Sequence, residues 1–301
     1  RPAAVRQGDQ TSIDRIGVCV GNFTAGGAGK TPTVLALAAL LAAEGIRPHI
    51  LTRGYGGSER GPLRVDPARH DARAVGDEAL LLARAAPTWL SRDRPAGAAA
   101  AKSAGADMLL MDDGMQSPGL AKDLCLAVVD GGAGFGNGRV LPAGPLREPL
   151  VRGLSRAQAL VLVGSDRGNA LAALGPHGLP VIGADLVPGD AVRALRERPV
   201  VAFAGIGRPE KFFETLTDSG CTLIARHAFA DHHRYKRDEV TAIIEHAKER
   251  DALPVTTEKD HVRLPPDMRE MVRTVPVTLA WRDPEVPRTL LAPLVARCRR
   301  G

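Results

Sequence analysis

An apolar run from Ile16 to Gly21 leads into Gly-Asn, and an Ala/Leu-rich stretch from Thr33 to Glu44 stops at Gly45. That order predicts a strand, a glycine loop and a helix. A second buried strand is predicted for Pro48 to Thr52, followed by a glycine-rich turn, Arg53-Gly54-Tyr55-Gly56-Gly57. Helical patterning recurs over Asp77 to Ala86 and Ala96 to Ser103, and short apolar runs at Met108 to Met111 and Leu124 to Val129 read as strands. Strands alternating with helices predict a parallel sheet.

Residues Asp130 to Pro149 hold six Gly and three Pro, too many for a regular element. Loops of that length are usually functional or disordered. Strands are expected at Leu160 to Val163 and Val181 to Ala184, and the Pro-, Gly- and Arg-rich stretch Asp185 to Pro199 reads as a linker. A second alternation follows: strand Pro199 to Ala204, turn Gly205-Ile206-Gly207, helix Pro209 to Asp218, strand Thr222 to Ala225, helix Asp238 to Glu249 and strand Leu253 to Val255. The expected class is α/β: a P-loop type, doubly wound, mainly parallel sheet over residues 1–190, and a smaller α/β domain over 191–301 that closes an active-site cleft.

Composition narrows the chemistry. The chain of 301 residues has 44% apolar and only 3% aromatic residues, which suits helix-covered sheets better than an aromatic-packed sandwich. A formal charge of +6 favours an anionic partner. With so few aromatics to stack bases, nucleic acid is not the expected one. Cys19, Cys125, Cys221 and Cys298 stand far apart with no C-x-x-C pair, as in a reduced protein without structural zinc. No run approaches the ~18 consecutive apolar residues of a membrane span.

The chemistry-bearing motif is Gly21-Asn22-Phe23-Thr24-Ala25-Gly26-Gly27-Ala28-Gly29-Lys30-Thr31-Pro32. Glycines let consecutive backbone amides face phosphate oxygens, a Lys neutralises the β and γ phosphates, and a Thr hydroxyl suits magnesium. The strict phosphate-loop spacing would place its first Gly where this chain has Thr24. Such a loop also needs a carboxylate at the end of a neighbouring strand, and Asp112-Asp113 supplies it. Asp77 could instead cap the helix it precedes, and Asp231-His232-His233 could be an exposed loop or hold a catalytic base.

Taken in order, these motifs resemble the tetraacyldisaccharide 4'-kinase (lipid A 4'-kinase) family. The resemblance runs from about Gly21 to Asp260 through the glycine loop, Thr52-Arg53-Gly54-Tyr55-Gly56-Gly57, Val75-Gly76-Asp77-Glu78, Asp112-Asp113-Gly114-Met115-Gln116, Gly134-Phe135-Gly136-Asn137-Gly138, Leu141-Pro142-Ala143-Gly144-Pro145-Leu146-Arg147-Glu148, Phe203-Ala204-Gly205-Ile206-Gly207, Phe229-Ala230-Asp231-His232-His233 and Thr257-Glu258-Lys259-Asp260. It implies a kinase of lipid A biosynthesis that uses ATP and Mg2+ on a glycolipid, tetraacyldisaccharide 1-phosphate, at the cytoplasmic face of the bacterial inner membrane, with no obligate protein partner. It implies that Asn22, Thr24, Ala25, Gly26, Gly27, Ala28, Gly29, Lys30 and Thr31 bind nucleotide, and that Thr31, Asp112, Asp113 and Glu148 surround the metal. Lys30, Asp77 and His232 fall at catalytic positions, the last two as a base pair, with His233 as the neighbouring alternative base. Arg53, Tyr55, Gln116 and Arg147 fall at substrate or phosphate contacts.

Two positions depart from the family pattern. Met115 stands where Phe is common, and the chain opens with Arg1-Pro2-Ala3-Ala4-Val5-Arg6 where the family carries an apolar membrane segment. The anchor is then either trimmed from this sequence or replaced by another kind of membrane contact. A P-loop GTPase of the switch or metal-delivery type is the alternative, although the chain has no Asn-Lys-x-Asp guanine motif. A noncatalytic nucleotide-binding module is a further one.

Overall fold

The structure, a computed structural model, describes residues 15 to 300; the N-terminal segment expected to bear on membrane anchoring lies outside the described residues. The strands are β1 (Arg15–Asn22), β2 (Pro48–Thr52), β3 (Leu63–Arg64), β4 (Thr88–Leu90), β5 (Met108–Asp112), β6 (Ala121–Asp130), β7 (Ala159–Val163), β8 (Val181–Pro188), β9 (Pro199–Ala204), β10 (Thr222–Ala228), β11 (Leu253–Thr257), β12 (Arg273–Val275) and β13 (Val277–Trp281). They form a nine-stranded sheet in the order β13-β8-β7-β6-β1-β5-β2-β4-β3 and a four-stranded sheet in the order β10-β9-β11-β12.

Every pairing in the small sheet is parallel. In the large sheet only the edge strands run antiparallel, β3 on β4 and β13 on β8. Alternation along β1 sends Val18 and Val20 to one face, against Val34, Leu37 and Leu41 of the helix Lys30–Ala43. It sends Cys19 to the other, with Leu51, Met111 and Ala98 of the helix Arg94–Ser103. Both faces are covered, so these strands read as continuous apolar runs. Cys19 and Cys125, distant in sequence, are register partners on β1 and β6, and both thiols are free.

Chain order places the site. From β5, on one side of β1, the chain crosses to β6 on the other, so the large sheet switches direction at β1. The small sheet does the same at β9, between β10 and β11. Ligands of open α/β sheets bind beyond the carboxyl ends of strands at such points. Here the two points face each other: a Cβ placed on Gly207, just after β9, would lie 3.5 Å from the Gly27 amide nitrogen, just after β1.

Two sequence expectations change. The stretch Asp185 to Pro199 is not a free linker, because β8 continues to Pro188 and a 3-10 turn, Asp190–Leu195, buries Val192 and Leu195 in the small unit. The cut at residue 190 also fails to describe the C-terminus. After the small sheet ends at Val275, β13 pairs with β8 and the helix Glu285–Cys298 buries Leu291, Leu294 and Val295 in the core of the large sheet. Composition could not reveal this, since an amphipathic edge strand and helix serve either sheet equally well. The chain therefore passes between the units twice, and the crossings are bonded to each other: the Gly189 amide donates to the Pro276 carbonyl at 2.8 Å.

The Gly/Pro-rich stretch 131–149 folds back on the glycine loop. The Ala25 amide donates to the Pro145 carbonyl and the Arg147 amide to that of Phe23, both at 2.8 Å.

Leu291, 1% exposed, tests the return of the C-terminus. Leu291→Ala is expected to cost about 2–5 kcal/mol in urea unfolding. A loss below about 0.5 kcal/mol, the range of surface substitutions, would mean that the helix does not share the large core.

Candidate active site

The end of β1 builds the first part of the site. Positive φ falls at Gly26 (102°) and Gly29 (95°), whereas Thr24 is not among the residues with positive φ. The first position of the strict motif thus needs no glycine here, and Thr24 instead bridges to Leu146. Gly29 is the N-cap of the helix Lys30–Ala43 and no side chain caps it. Uncapped amides at a helix start are donors for an anion. Pro32 sits in the first turn of the same helix, where its missing amide costs nothing.

Lys30 is buried, with Nζ 3.3 Å from Asn22 Oδ1 and 3.7 Å from Asp113 Oδ2. Asp112 and Asp113, at the end of β5, take different environments. Asp113 is forked by Arg147, Nη1 to Oδ1 at 2.8 Å and Nη2 to Oδ2 at 2.9 Å. Burial pushes its carboxyl up, but Lys30 and Arg147 outweigh burial and hold it below the usual range. Among the described residues the Asp112 carboxylate has a 3.4 Å contact from the Thr52 hydroxyl on Oδ2, and its buried Oδ1 has no partner. Burial, with Glu78 and Asp113 nearby, pushes Asp112 up to about 7. Glu148 is held by Arg156 and by Gln116 Nε2 at 3.1 Å, and Gln116 also donates to the Asn22 carbonyl.

The second part spans the cleft. Asp77 is not a helix cap: it is the first residue of the helix Asp77–Ala85, with Gly76 as N-cap. Its Oδ1 accepts the Glu78 amide at 2.9 Å, and its Oδ2 faces His232 Nδ1 at 3.3 Å. Burial raises Asp77, but the His232 hydrogen bond and the charges of Arg263 and Lys259 outweigh it and hold the carboxyl well below its ordinary value. The same hydrogen bond raises the His232 imidazole above 6.5. His232 has φ 58°, uncommon for a residue with a side chain, and its amide is tied to the Gly205 carbonyl at 3.0 Å. The adjacent histidines separate in a turn that the positive φ of His232 sets: His233 turns into the small unit, with Nε2 3.0 Å from Glu239 and its ring stacked on Phe229.

Both parts open into one cavity of about 1080 Å³, which Arg53, Tyr55, Asp112, Arg147, Asp231 and His232 help to line. Tyr55 is 71% exposed and its ring centroid lies 5.3 Å from that of His232. Sequence reading missed several residues here. Arg94 is buried and donates to the carbonyls of Leu51, Asp112 and Asp113, pinning both strand ends. Lys259 Nζ donates to Glu78 at 2.6 Å, Arg208 Nη1 to Asp130 at 2.8 Å, and Arg263 to Asp77, each across the cleft. Lys259 lies within Thr257-Glu258-Lys259-Asp260, whereas Arg263, Arg94 and Arg208 carry no local signal beyond being isolated arginines. Met115, at the common Phe position, is buried against Gly21.

A family model described as tetraacyldisaccharide-1-P 4'-kinase matches residues 6–295. The chain belongs to that 4'-kinase family. The tetraacyldisaccharide 4'-kinase of Rhodospirillum centenum is 57% identical over 280 residues, 93% of this chain and 83% of that protein. The one from Gluconacetobacter diazotrophicus is 59% identical over 274 residues, 91% and 84%. A crystal structure of LpxK from Aquifex aeolicus in complex with ATP is similar at a TM-score of 0.72 and 26% identity, covering 93% of this chain and 88% of that one. Membership in a 4'-kinase family sets the GTPase alternative aside.

Asp112 offers a pH test. A buried carboxyl raised to about 7 keeps its proton in the folded protein while the unfolded chain, near 3.8, loses it. Stability is thus lost as pH rises from the lower value to the higher. Asp112→Asn is expected to leave the melting temperature unchanged near pH 4 and to raise it near pH 8, by differential scanning fluorimetry without nucleotide. An equal effect at both pH values would contradict the raised carboxyl.

Proposed function

We infer that this protein transfers the γ-phosphoryl group of ATP to the 4'-hydroxyl of tetraacyldisaccharide 1-phosphate. The observation that carries the reading is one cavity holding the uncapped glycine loop with Lys30 at one part and the Asp77–His232 pair at another. Amides of residues 26 to 31 and the Lys30 ammonium hold the triphosphate, and Arg147 and Asn22 keep Asp113 and Lys30 in place. His232 Nδ1–H faces Asp77, which leaves Nε2 free to take the proton of the acceptor hydroxyl. Asp77 orients that ring and stabilises the imidazolium that follows. Arg53 and Tyr55 line the acceptor side, and Gln116 braces Glu148.

The residues fit a magnesium ion: Asp112 Oδ1 is a buried oxygen without a partner, and the Thr31 hydroxyl sits at the start of the helix. Thr31 and Asp112 would hold it, with Asp113 and Glu148 behind them on Arg147 and Arg156. Magnesium supplies neutralisation of charge on the transferring phosphate oxygens.

A lipid acceptor requires a membrane approach, and we place it at the cytoplasmic face of the inner membrane, where ATP is available. Among the described residues no helix is long and apolar enough to cross a membrane. Val151 and Leu141, which flank Glu148 in sequence, are 81% and 52% exposed. Arginines beside them add about 1 kcal/mol each near an anionic surface.

The deciding experiment supplies labelled ATP, magnesium and tetraacyldisaccharide 1-phosphate in detergent and looks for a bisphosphorylated lipid. Lys30→Ala should abolish it, and absence of product with the unaltered protein would refute the assignment. His232→Ala should lower kcat about 100-fold to 10,000-fold while the KM for ATP holds. Unchanged turnover would remove His232 from the mechanism. Because neutral imidazole is the base, kcat/KM should rise with pH through a value above 6.5.

A further inference from the structure

Arg263 follows the helix Glu258–His261 in the small unit, and its side chain is 6% exposed. Its guanidinium spends nearly every donor on this site. Nε donates to Asp77 Oδ2 at 2.8 Å, and Nη2 donates to the same oxygen. Nη1 donates to the Gly205 carbonyl at 2.7 Å and to Asp260 Oδ1 at 3.1 Å. Two of these bonds hold Asp77 and a third holds the Gly205 carbonyl. Gly205 also accepts the His232 amide, so Arg263 grips the backbone that carries the imidazole as well as the carboxylate opposite. Moreover, Asp77 Oδ2 is the oxygen that faces His232 Nδ1 at 3.3 Å, and Arg263 Nη2 lies at 3.3 Å from that same nitrogen.

We propose that Arg263 is a positioning residue for phosphoryl transfer, clamping Asp77 across the cleft and setting how much of its charge bears on His232. The inference rests on the reading of Asp77 and His232 as the base pair. Sharing Oδ2 with a guanidinium weakens the attraction that Asp77 exerts on a protonated imidazole, and the guanidinium itself repels that proton. Without Arg263, His232 would hold its proton to higher pH and be out of service as a base over more of the working range. The other groups facing the ring keep their places: Asp231 Oδ1 at 3.9 Å from Nε2, the Tyr55 ring, and Lys259, engaged with Glu78.

The test is the pH profile of kcat/KM for the full chain with ATP, magnesium and the glycolipid acceptor. Arg263→Gln removes the charge and should move the acid limb to higher pH by about one unit or more, with the KM for ATP unchanged. Arg263→Lys restores the charge without the planar fork, so the limb should return to the wild-type position while kcat stays down about tenfold or more. A purely structural role would lower turnover equally at every pH, and a Gln variant with an unmoved limb overturns the proposal. Should the Gln variant fail to fold, Arg263→Met, which is also uncharged, is read in the same way: an acid limb moved to higher pH supports the proposal, and an unmoved limb overturns it. His232→Ala separates the two readings. If it removes the acid limb while Arg263→Gln leaves that limb in place, only the role of Arg263 falls. If it keeps both limb and turnover, the base pair falls and Arg263 with it.

Discussion

A carboxylate that is 5% exposed, like Asp77, is stable only if charge and hydrogen bonds replace the water it has lost. The large sheet does not supply the cation. Asp77 opens a helix of the large unit, and its counter-charge, Arg263, belongs to the small one. Beneath Arg263 lies Asp260, fully buried, accepting from the Gly205 amide, the Tyr235 hydroxyl and the Thr257 hydroxyl. Asp260, Arg263, Asp77 and His232 form one continuous polar chain from the floor of the small unit to the edge of the cavity. In a low-dielectric setting each member depends on the next, and the loss of one leaves a buried charge uncompensated.

The glycine loop works by the opposite principle. There the helix start is left without a side-chain cap, and Asp112 Oδ1 without a partner. Unfilled valences suit a site that a ligand completes, and the raised carboxyl of Asp112 is the cost the free protein carries for it. The neighbouring Asp113, forked by Arg147, shows that sequence adjacency does not mean shared chemistry. Asp113 is defined by the arginine that the 131–149 segment brings to it, and Asp112 by its burial beside Glu78 and Asp113.

Local signals made half of this site legible. The strand-loop-helix around Lys30 and the strand ending at Asp112 are set by contiguous residues, so patterning located them to within three residues. Asp77 and His232 were legible as motif members, but their meeting was not, because 3.3 Å across a cleft depends on the packing of two sheets. His232 and His233 were indistinguishable until the positive φ of one turned their rings apart. Arg263 and Arg94 were missed because a lone arginine in sequence gives no sign of burial. The C-terminal strand and helix were assigned to the wrong unit for a related reason: an apolar face shows that an element packs, not against what.

That C-terminal return has a mechanical meaning. Two bodies joined by a single strand can tumble about it freely, but these are joined by two, side by side and stitched where the Gly189 amide meets the Pro276 carbonyl. A pair of adjacent pivots behaves as a door hinge and leaves swing about one axis as the soft motion. On such a hinge Gly207 cannot draw away from the glycine loop without Arg263 also being drawn from Asp77. The approach of Gly207 to the glycine loop and the grip of Arg263 on Asp77 are thus one angle read at two radii.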